Sequence, residues 1–330
     1  MPTLTKRSFL RSAAALPLLG AVPLTAARAE APWPSRPITY IVPFSPGGAT
    51  DLIGRLYAQA AGKSLGVPIV IDNRPGTGGS LGSAVAARAK PDGYTLVGGT
   101  ISSHAINARI YPSIGYDPVA SFQPLILTGT LPNVLVVKAG GVITSVDSLR
   151  ALARQRSAPL TFGSSGVGSS QHLAGELFAT TTGLKLLHVP YKGSAPSLQA
   201  LLGGEIDLLF DNITSAQPFI ESGRLAALAV TSSQPSSILP GVRPLSQLGV
   251  DGYEVVSWQA TFAPAGTPRP VVERLYQALH AALTEPASRE RLQALGLDVS
   301  GASPDELARF QKAEVAKWAA VVKKAGIKAE

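Results

Sequence analysis

Two glycine- and serine-rich loops stand at the same place in a strand–loop–helix unit, once in each half of the chain. The first, Phe44-Ser45-Pro46-Gly47-Gly48-Ala49-Thr50-Asp51, follows the apolar residues 38–43, and the second, Gly163-Ser164-Ser165-Gly166-Val167-Gly168-Ser169-Ser170, follows Leu160-Thr161-Phe162. A strand that ends in glycines and opens a helix leaves main-chain N–H groups unpaired at the helix start. That end carries partial positive charge and holds an anion without any basic side chain. Two such cradles predict a small carboxylate or phosphate gripped between two domains.

The rest of the chain can supply those domains. Its 330 residues are 45% hydrophobic and 15% charged, enough for two cores and too apolar for a disordered polymer. No internal stretch reaches the roughly 18 consecutive apolar residues of a membrane span. Residues 1–29 read as an export signal. Lys6, Arg7 and Arg11 precede an uncharged stretch from Ser12 to Ala27, and Ala27-Arg28-Ala29 has the small-x-small form of a cleavage site. Lys6 stands where a twin-arginine signal has its first arginine, so general secretion is the expected route. Pro17 and Pro23 interrupt the apolar stretch and argue against a retained anchor.

Removing the four basic residues of that leader, with no acidic ones, takes the formal charge from +8 to +4. With no basic run or interleaved aromatics, nucleic acid is not an expected partner. The absence of cysteine excludes disulfides, thiolate zinc sites and a lipid-attachment thiol. The mature protein is expected to be soluble in the periplasm, with no cofactor and no metal.

Strand-like and helix-like segments alternate, which predicts an α/β protein with parallel sheets flanked by helices. Strands are expected at residues 38–44, 67–72, 94–98, 160–163, 185–189, 206–211 and 225–230. Helices are expected at 51–62, 80–89, 102–111, 170–182, 195–202, 215–222, 270–283, 287–295 and 304–325. Two further apolar stretches, 122–137 and 255–262, fit crossovers between domains. The first domain is then discontinuous (30–128 and 257–330), with a second domain at 129–256 inserted in it. Two crossovers form a hinge, and Trp258 on the second is expected to sense its bending more than Trp33 or Trp318.

Each motif has a structural alternative. The first loop also fits a tight connection capped by Thr50 or Asp51. In the second, seven of eight residues are glycine or serine, more than a connection needs. A third loop, Asn73-Arg74-Pro75-Gly76-Thr77-Gly78-Gly79-Ser80, fits close approach of a helix to the sheet. It lacks a dinucleotide fingerprint, because Leu81 stands where the third glycine belongs. Gly62-Lys63-Ser64 is not a phosphate loop, because position 57 is Tyr57. Ser165 lacks the second glycine of a nucleophile elbow. His104, His172, His188 and His280 have no metal-ligand spacing. His172 fits a core, capping or ligand role, and Asp211 fits either a helix cap or a contact to a ligand amine or hydroxyl.

The chain resembles the periplasmic solute receptors of tripartite tricarboxylate transporters, the Bug family. The likeness rests on Ile41-Val42-Pro43-Phe44-x-Pro46-Gly47-Gly48 with Asp51 and Arg55, on Asn73-Arg74-Pro75-Gly76, and on Pro91-Asp92-Gly93-Tyr94-Thr95-Leu96. It continues through Ser164-Ser165-Gly166-x-Gly168-Ser169-Ser170-Gln171-His172, His188-Val189-Pro190-Tyr191-Lys192-Gly193, Asp211-Asn212 and Phe262-Ala263-Pro264-Ala265-Gly266-Thr267-Pro268. The resemblance implies a two-domain, type II periplasmic-binding-protein-like fold joined by two crossover strands and closing on a small carboxylate. Phe44, Gly47, Gly48, Ala49, Thr50 and Asp51 match one jaw. Ser164, Ser165, Gly166, Gly168, Ser169, Ser170 and His172 match the other, and Asp211 matches a position on the far side of the ligand.

Two departures fall near the implied crevice: Ala108 in place of proline, and Gln259-Ala260 in place of an aromatic–glycine pair. The resemblance implies a monomeric, non-enzymatic receptor that delivers a mono-, di- or tricarboxylate or an amino acid to membrane transporter subunits. A sensor presenting its ligand to a membrane signalling protein shares every feature. An enzyme using the loops as an oxyanion site is the third alternative.

Overall fold

Hydrophobic runs three to six residues long, buried on both faces, mark the centre of a parallel sheet, and Ile38, Tyr40, Ile41 and Val42 form such a run. In the computed structural model, which describes residues 32–327, they make the first strand, β1 (Ile38–Val42). The export signal lies outside the described residues.

Helix and strand then alternate: α1 (Ala49–Leu65), β2 (Ile69–Asn73), α2 (Ser80–Ala87), β3 (Thr95–Thr100) and a single turn, α3 (Asn107–Ile110). A long strand, β4 (Phe122–Lys138), leads to α4 (Val146–Gln155), β5 (Leu160–Ser164), α5 (Ser170–Thr182) and β6 (Leu186–Pro190). Next come α6 (Ser194–Gly203), β7 (Leu208–Asn212), α7 (Ile213–Glu221) and β8 (Leu225–Val230). The chain closes with β9 (Val256–Pro264), α8 (Arg269–Thr284), α9 (Pro286–Ala294), β10 (Asp298–Ala302) and α10 (Pro304–Ala325).

The strands join in the order β2-β1-β3-β9-β4-β7-β5-β6, with β8 and β10 also paired to β4. Pairing is parallel at both ends, among β2, β1 and β3 and among β6, β5 and β7. It is antiparallel wherever β4 or β9 takes part. The first part of β4 pairs with β9 and β10, and its last part, from Asn133, pairs with β7 and β8. One strand therefore belongs to two sheet halves, one built around β1 and the other around β5. The return into the first half is tied by the Val255 N–H, which donates to Thr231 O at 2.9 Å.

Three apolar clusters fill the interior. Ile38, Tyr57, Leu96 and Leu279 pack on the first half, and Val136, Leu201 and Leu209 pack on the second. The third runs under both, from Val97 and Ile106 through Trp258 to Phe162 and Phe210. The expected helix at 102–111 is instead a wider π stretch at Ser102–Ile106 followed by α3. Its buried Asn107 turns inward, with Nδ2 donating to Gly78 O at 2.9 Å and Ser80 Oγ at 2.8 Å. Sequence periodicity also passed over α4, set by a Ser145–Ser148 capping box, and β10, whose Ser300 and Gly301 weaken its strand pattern.

Candidate carboxylate site

The first loop is braced by its own acid. Gly47 adopts φ +82°, which directs its N–H to Asp51 Oδ2 at 3.0 Å. Asp51 is buried, its carboxylate held by Arg55 Nε at 3.0 Å and Asn73 Nδ2 at 2.9 Å. Burial opposes its ionisation, but the hydrogen bonds from Arg55, Gly47 and Asn73 prevail and hold its pKa below the ordinary carboxylate value. Asp51 thus neutralises Arg55 and shapes the loop, and it does not line the cavity. The N–H groups of Asp51 and Leu52 both turn back to Gly48 O at 3.0 Å. Those of Gly48, Ala49 and Thr50 have no partner among the described residues.

The second loop is braced from behind by histidine. Ser164 Oγ meets His188 Nε2 at 2.6 Å and accepts the Gly166 N–H at 3.1 Å. The Gly168 N–H donates to His172 Nδ1 at 3.2 Å, while Ser169 caps α5 by accepting the His172 N–H at 3.2 Å. The His172 and His188 rings stack at 4.0 Å, with Phe162 next to His188 at 4.9 Å. Burial lowers the pKa of His172 to about 4; burial and then the neighbouring His172 lower that of His188 to about 3. Both are neutral props. Gly166 and Gly168, at φ +119° and +80°, make the tight path between them.

The loops converge on one cavity with room for about one water-sized group, roughly 20 Å³ for the centre of a water molecule. From the expected jaws, Phe44, Gly48, Ala49 and Thr50 line it on one side and Ser165 and Ser170 on the other. Gly47, Asp51, Ser164, Gly166, Gly168, Ser169 and His172 do not line it. Asp211 is fully buried, one layer further back than expected.

Seven lining residues escaped the sequence reading as contacts: Thr100 at the end of β3 and Ser102 beyond it, Gln171 on α5, Ser194 on α6, Asn212 on β7, and Ser257 and Gln259 on β9. Thr100 and Asn212 close their strands, and the rule that α/β sites form at strand carboxyl ends was the available signal. Gln259, noted as a departure, is on the wall, whereas Ala108 lies away from it in a surface groove with Tyr111 and Tyr116.

None of the lining residues is charged, and the N-terminal ends of α1 and α5 both open on the cavity. Among the described residues no histidine or acid cluster suits a metal, and no helix is long and apolar enough to cross a membrane. The third loop does more than seat a helix. Gly82 lets α2 approach Pro43, while Gly78 rests against the Val167 carbonyl of the second loop.

An uncharged pocket between helix starts, in a sheet of two halves sharing β4, defines a solute-binding receptor of the periplasmic binding protein class. The chain belongs to the tripartite tricarboxylate transporter receptors, the Bug family: the profile described as "Tripartite tricarboxylate transporter family receptor" matches residues 53–327. Protein BugT of Bordetella pertussis is 36% identical over 297 residues, covering 90% of this chain and 91% of its own. Rpa4515 of R. palustris, solved with adipate, superposes with a TM-score of 0.87 at 40% identity, over 90% of this chain and 99% of its own. MatC (Rpa3494) of Rhodopseudomonas palustris, solved with malate, gives 0.84 at 32% identity over 88% of this chain and 100% of its own.

Proposed function

We propose that this chain is a periplasmic receptor that captures a small organic carboxylate between its two sheet halves and hands it to the membrane subunits of a tripartite transporter. The observation that carries this reading is the convergence of two helix starts, α1 and α5, on a pocket with no charged lining residue. Unpaired N–H groups at Gly48–Thr50 and the positive end of α5 at Ser170 stabilise one carboxylate through preorganised dipoles. The carboxylates in the relatives Rpa4515 and MatC support the same class of ligand.

A whole acid of four to six carbons exceeds the present cavity, so the halves part to admit it and close on it about β4 and the segment entering β9. The units that move are 30–128 with 257–330, and 129–256. The receptor reading is also supported by the polar chemistry. Ser165 reaches Asp211 only through Ser194, with no imidazole or amine between them to act as a base. The receptor acts as a monomer, exported by the leader at 1–29.

The test is a thermal-shift screen of mono-, di- and tricarboxylates, amino acids and inorganic phosphate, followed by calorimetry. A ligand bound only by the native state raises the midpoint. Midpoint rises confined to carboxylates, with one molecule bound per chain, are the expected result. Turnover of any of them by substoichiometric protein, or a response to phosphate alone, overturns the reading.

A further inference from the structure

Behind the cavity a chain of hydrogen bonds fixes which way each polar group points. Asp211 Oδ1 accepts the Asn212 N–H at 2.8 Å, the Ser194 hydroxyl at 2.6 Å and a Gln171 Nε2 hydrogen at 3.4 Å. Gln171 Nε2 spends its other hydrogen on Asn212 Oδ1 at 3.3 Å. Both Gln171 donors therefore face inward, and its Oε1 accepts the Ser170 hydroxyl at 3.3 Å. Asn212 is itself oriented by Nδ2, which donates to Asn133 Oδ1 at 2.6 Å. A proton added to Asp211 would sit on its unpartnered Oδ2 and leave the three bonds to Oδ1 in place.

The consequence is a wall of one polarity. Ser194 and Ser170 have each given away their only hydroxyl hydrogen, Ser165 gives its own to Ser194 Oγ at 3.2 Å, and Gln171 has given away both amide hydrogens. What remains on Ser194, Ser170 and Gln171 is acceptor lone pairs. The other wall keeps its donors: the N–H groups of Gly48, Ala49 and Thr50. The two walls are close, because a Cβ on Gly48 would lie 3.8 Å from Ser194 Oγ. A group on the carbon next to a carboxylate seated at Gly48 is therefore within reach of Ser194.

We propose that Asp211 is a positioning residue that makes Ser194, Ser170 and Gln171 a hydrogen-bond acceptor wall, so that the site selects carboxylates carrying a donor on C2, a hydroxyl or an ammonium. This rests on the carboxylate reading above. A 2-oxo acid has nearly the same shape but brings an acceptor to an acceptor wall, and an unsubstituted acid leaves that wall unpaired. Either mismatch is costly in a buried site.

The test is calorimetry with three-, five- and six-carbon sets. Each contains the unsubstituted acid, the 2-hydroxy acid, the 2-amino acid and the 2-oxo acid: propionate, lactate, alanine and pyruvate; glutarate and its derivatives; adipate and its derivatives. At the chain length that binds, the 2-hydroxy or 2-amino acid should bind at least tenfold more tightly than the 2-oxo and unsubstituted acids. The two favoured members separate a hydroxyl ligand from an ammonium ligand. In Ser194→Ala, and in Asp211→Ala where Ser194 regains a free hydrogen, the donor-to-oxo preference should fall below threefold. Circular dichroism and a cooperative melt establish that each variant is folded. Equal wild-type affinity for 2-oxo and 2-hydroxy acids overturns the proposal while leaving the carboxylate reading intact. A preference unchanged in folded Ser194→Ala overturns it equally. Failure of every carboxylate to bind removes both.

Discussion

Gly78 and Val167 meet across the two sheet halves so closely that a Cβ on Gly78 would overlap the Val167 carbonyl oxygen. The same oxygen accepts the Tyr111 hydroxyl at 2.9 Å. In a receptor that closes on its ligand, these contacts belong to the closed form, and whatever disfavours that form lowers affinity without touching the ligand. Gly78→Ala is expected to weaken binding of the acid found by screening tenfold or more, and Tyr111→Phe by a few-fold. Calorimetry on the two variants checks this, and wild-type affinity in Gly78→Ala would separate the contact from closure.

The two loop glycines nearest the seat differ in what they tolerate. A Cβ on Gly48 meets only ordinary neighbours at 3.7–3.9 Å, at an extended φ of −81°. Gly166 sits at φ +119° with Tyr191 O and Gly78 N near 3.1–3.2 Å. Gly166→Val should therefore lose both stability, on the order of 1–3 kcal/mol, and affinity. Gly48→Val should keep its melting midpoint within a few degrees and lose affinity by filling the pocket. Full binding by both variants would remove the loops from the site.

Neutral buried histidines make stability depend on pH. The pKa values of His172, His188 and His104 are lowered to about 4, 3 and 3, against an ordinary 6.5. The unfolded chain takes up these protons first, so the contribution is fully present above about pH 6.5 and is lost as pH falls towards the folded values. Each histidine adds a slope of up to about 1.4 kcal/mol per pH unit. Urea unfolding between pH 7 and 4 should show this fall, and His188→Gln should flatten it by one histidine's share. An unchanged slope would place the titration elsewhere.

Trp258 was expected to report hinge bending more than Trp33 or Trp318, which lie far from the hinge in sequence. In the fold both indoles donate to Glu314 Oε2, Trp258 at 3.0 Å and Trp318 at 2.9 Å. A ligand that bends the segment entering β9 should therefore change emission from both. Trp258→Phe is expected to remove only part of the signal and Trp258→Phe with Trp318→Phe nearly all of it. A full signal in the double variant would assign it to Trp33.

What the sequence made legible was whatever depends on local spacing. Apolar runs bounded by glycine located β1, β5 and β7, and the same loops located the helix starts of α1 and α5. What it hid depends on distant partners. Asp51 reads as a ligand group until Arg55 and Asn73 are seen to occupy its carboxylate. His172 is one of two rings in a stack whose second member, His188, comes from a neighbouring strand. Ser194 and Ser257 carry no motif of their own, and only the meeting of α6 and β9 at one cavity brings them to the wall. The π stretch at Ser102–Ile106 was likewise invisible, as was the inward turn of Asn107 just after it, whose partner Gly78 lies 29 positions away.

The central claim is that two helix starts hold a carboxylate with no cationic side chain. It is tested most directly by a crystal structure of this chain with an acid that raised its melting midpoint. The account predicts one carboxylate in this cavity, within hydrogen-bond distance of N–H groups among Gly48–Thr50 at the start of α1 and beside the start of α5, with no lysine or arginine in contact. A carboxylate bound instead through arginine at the surface, or seated outside this cavity, would contradict it.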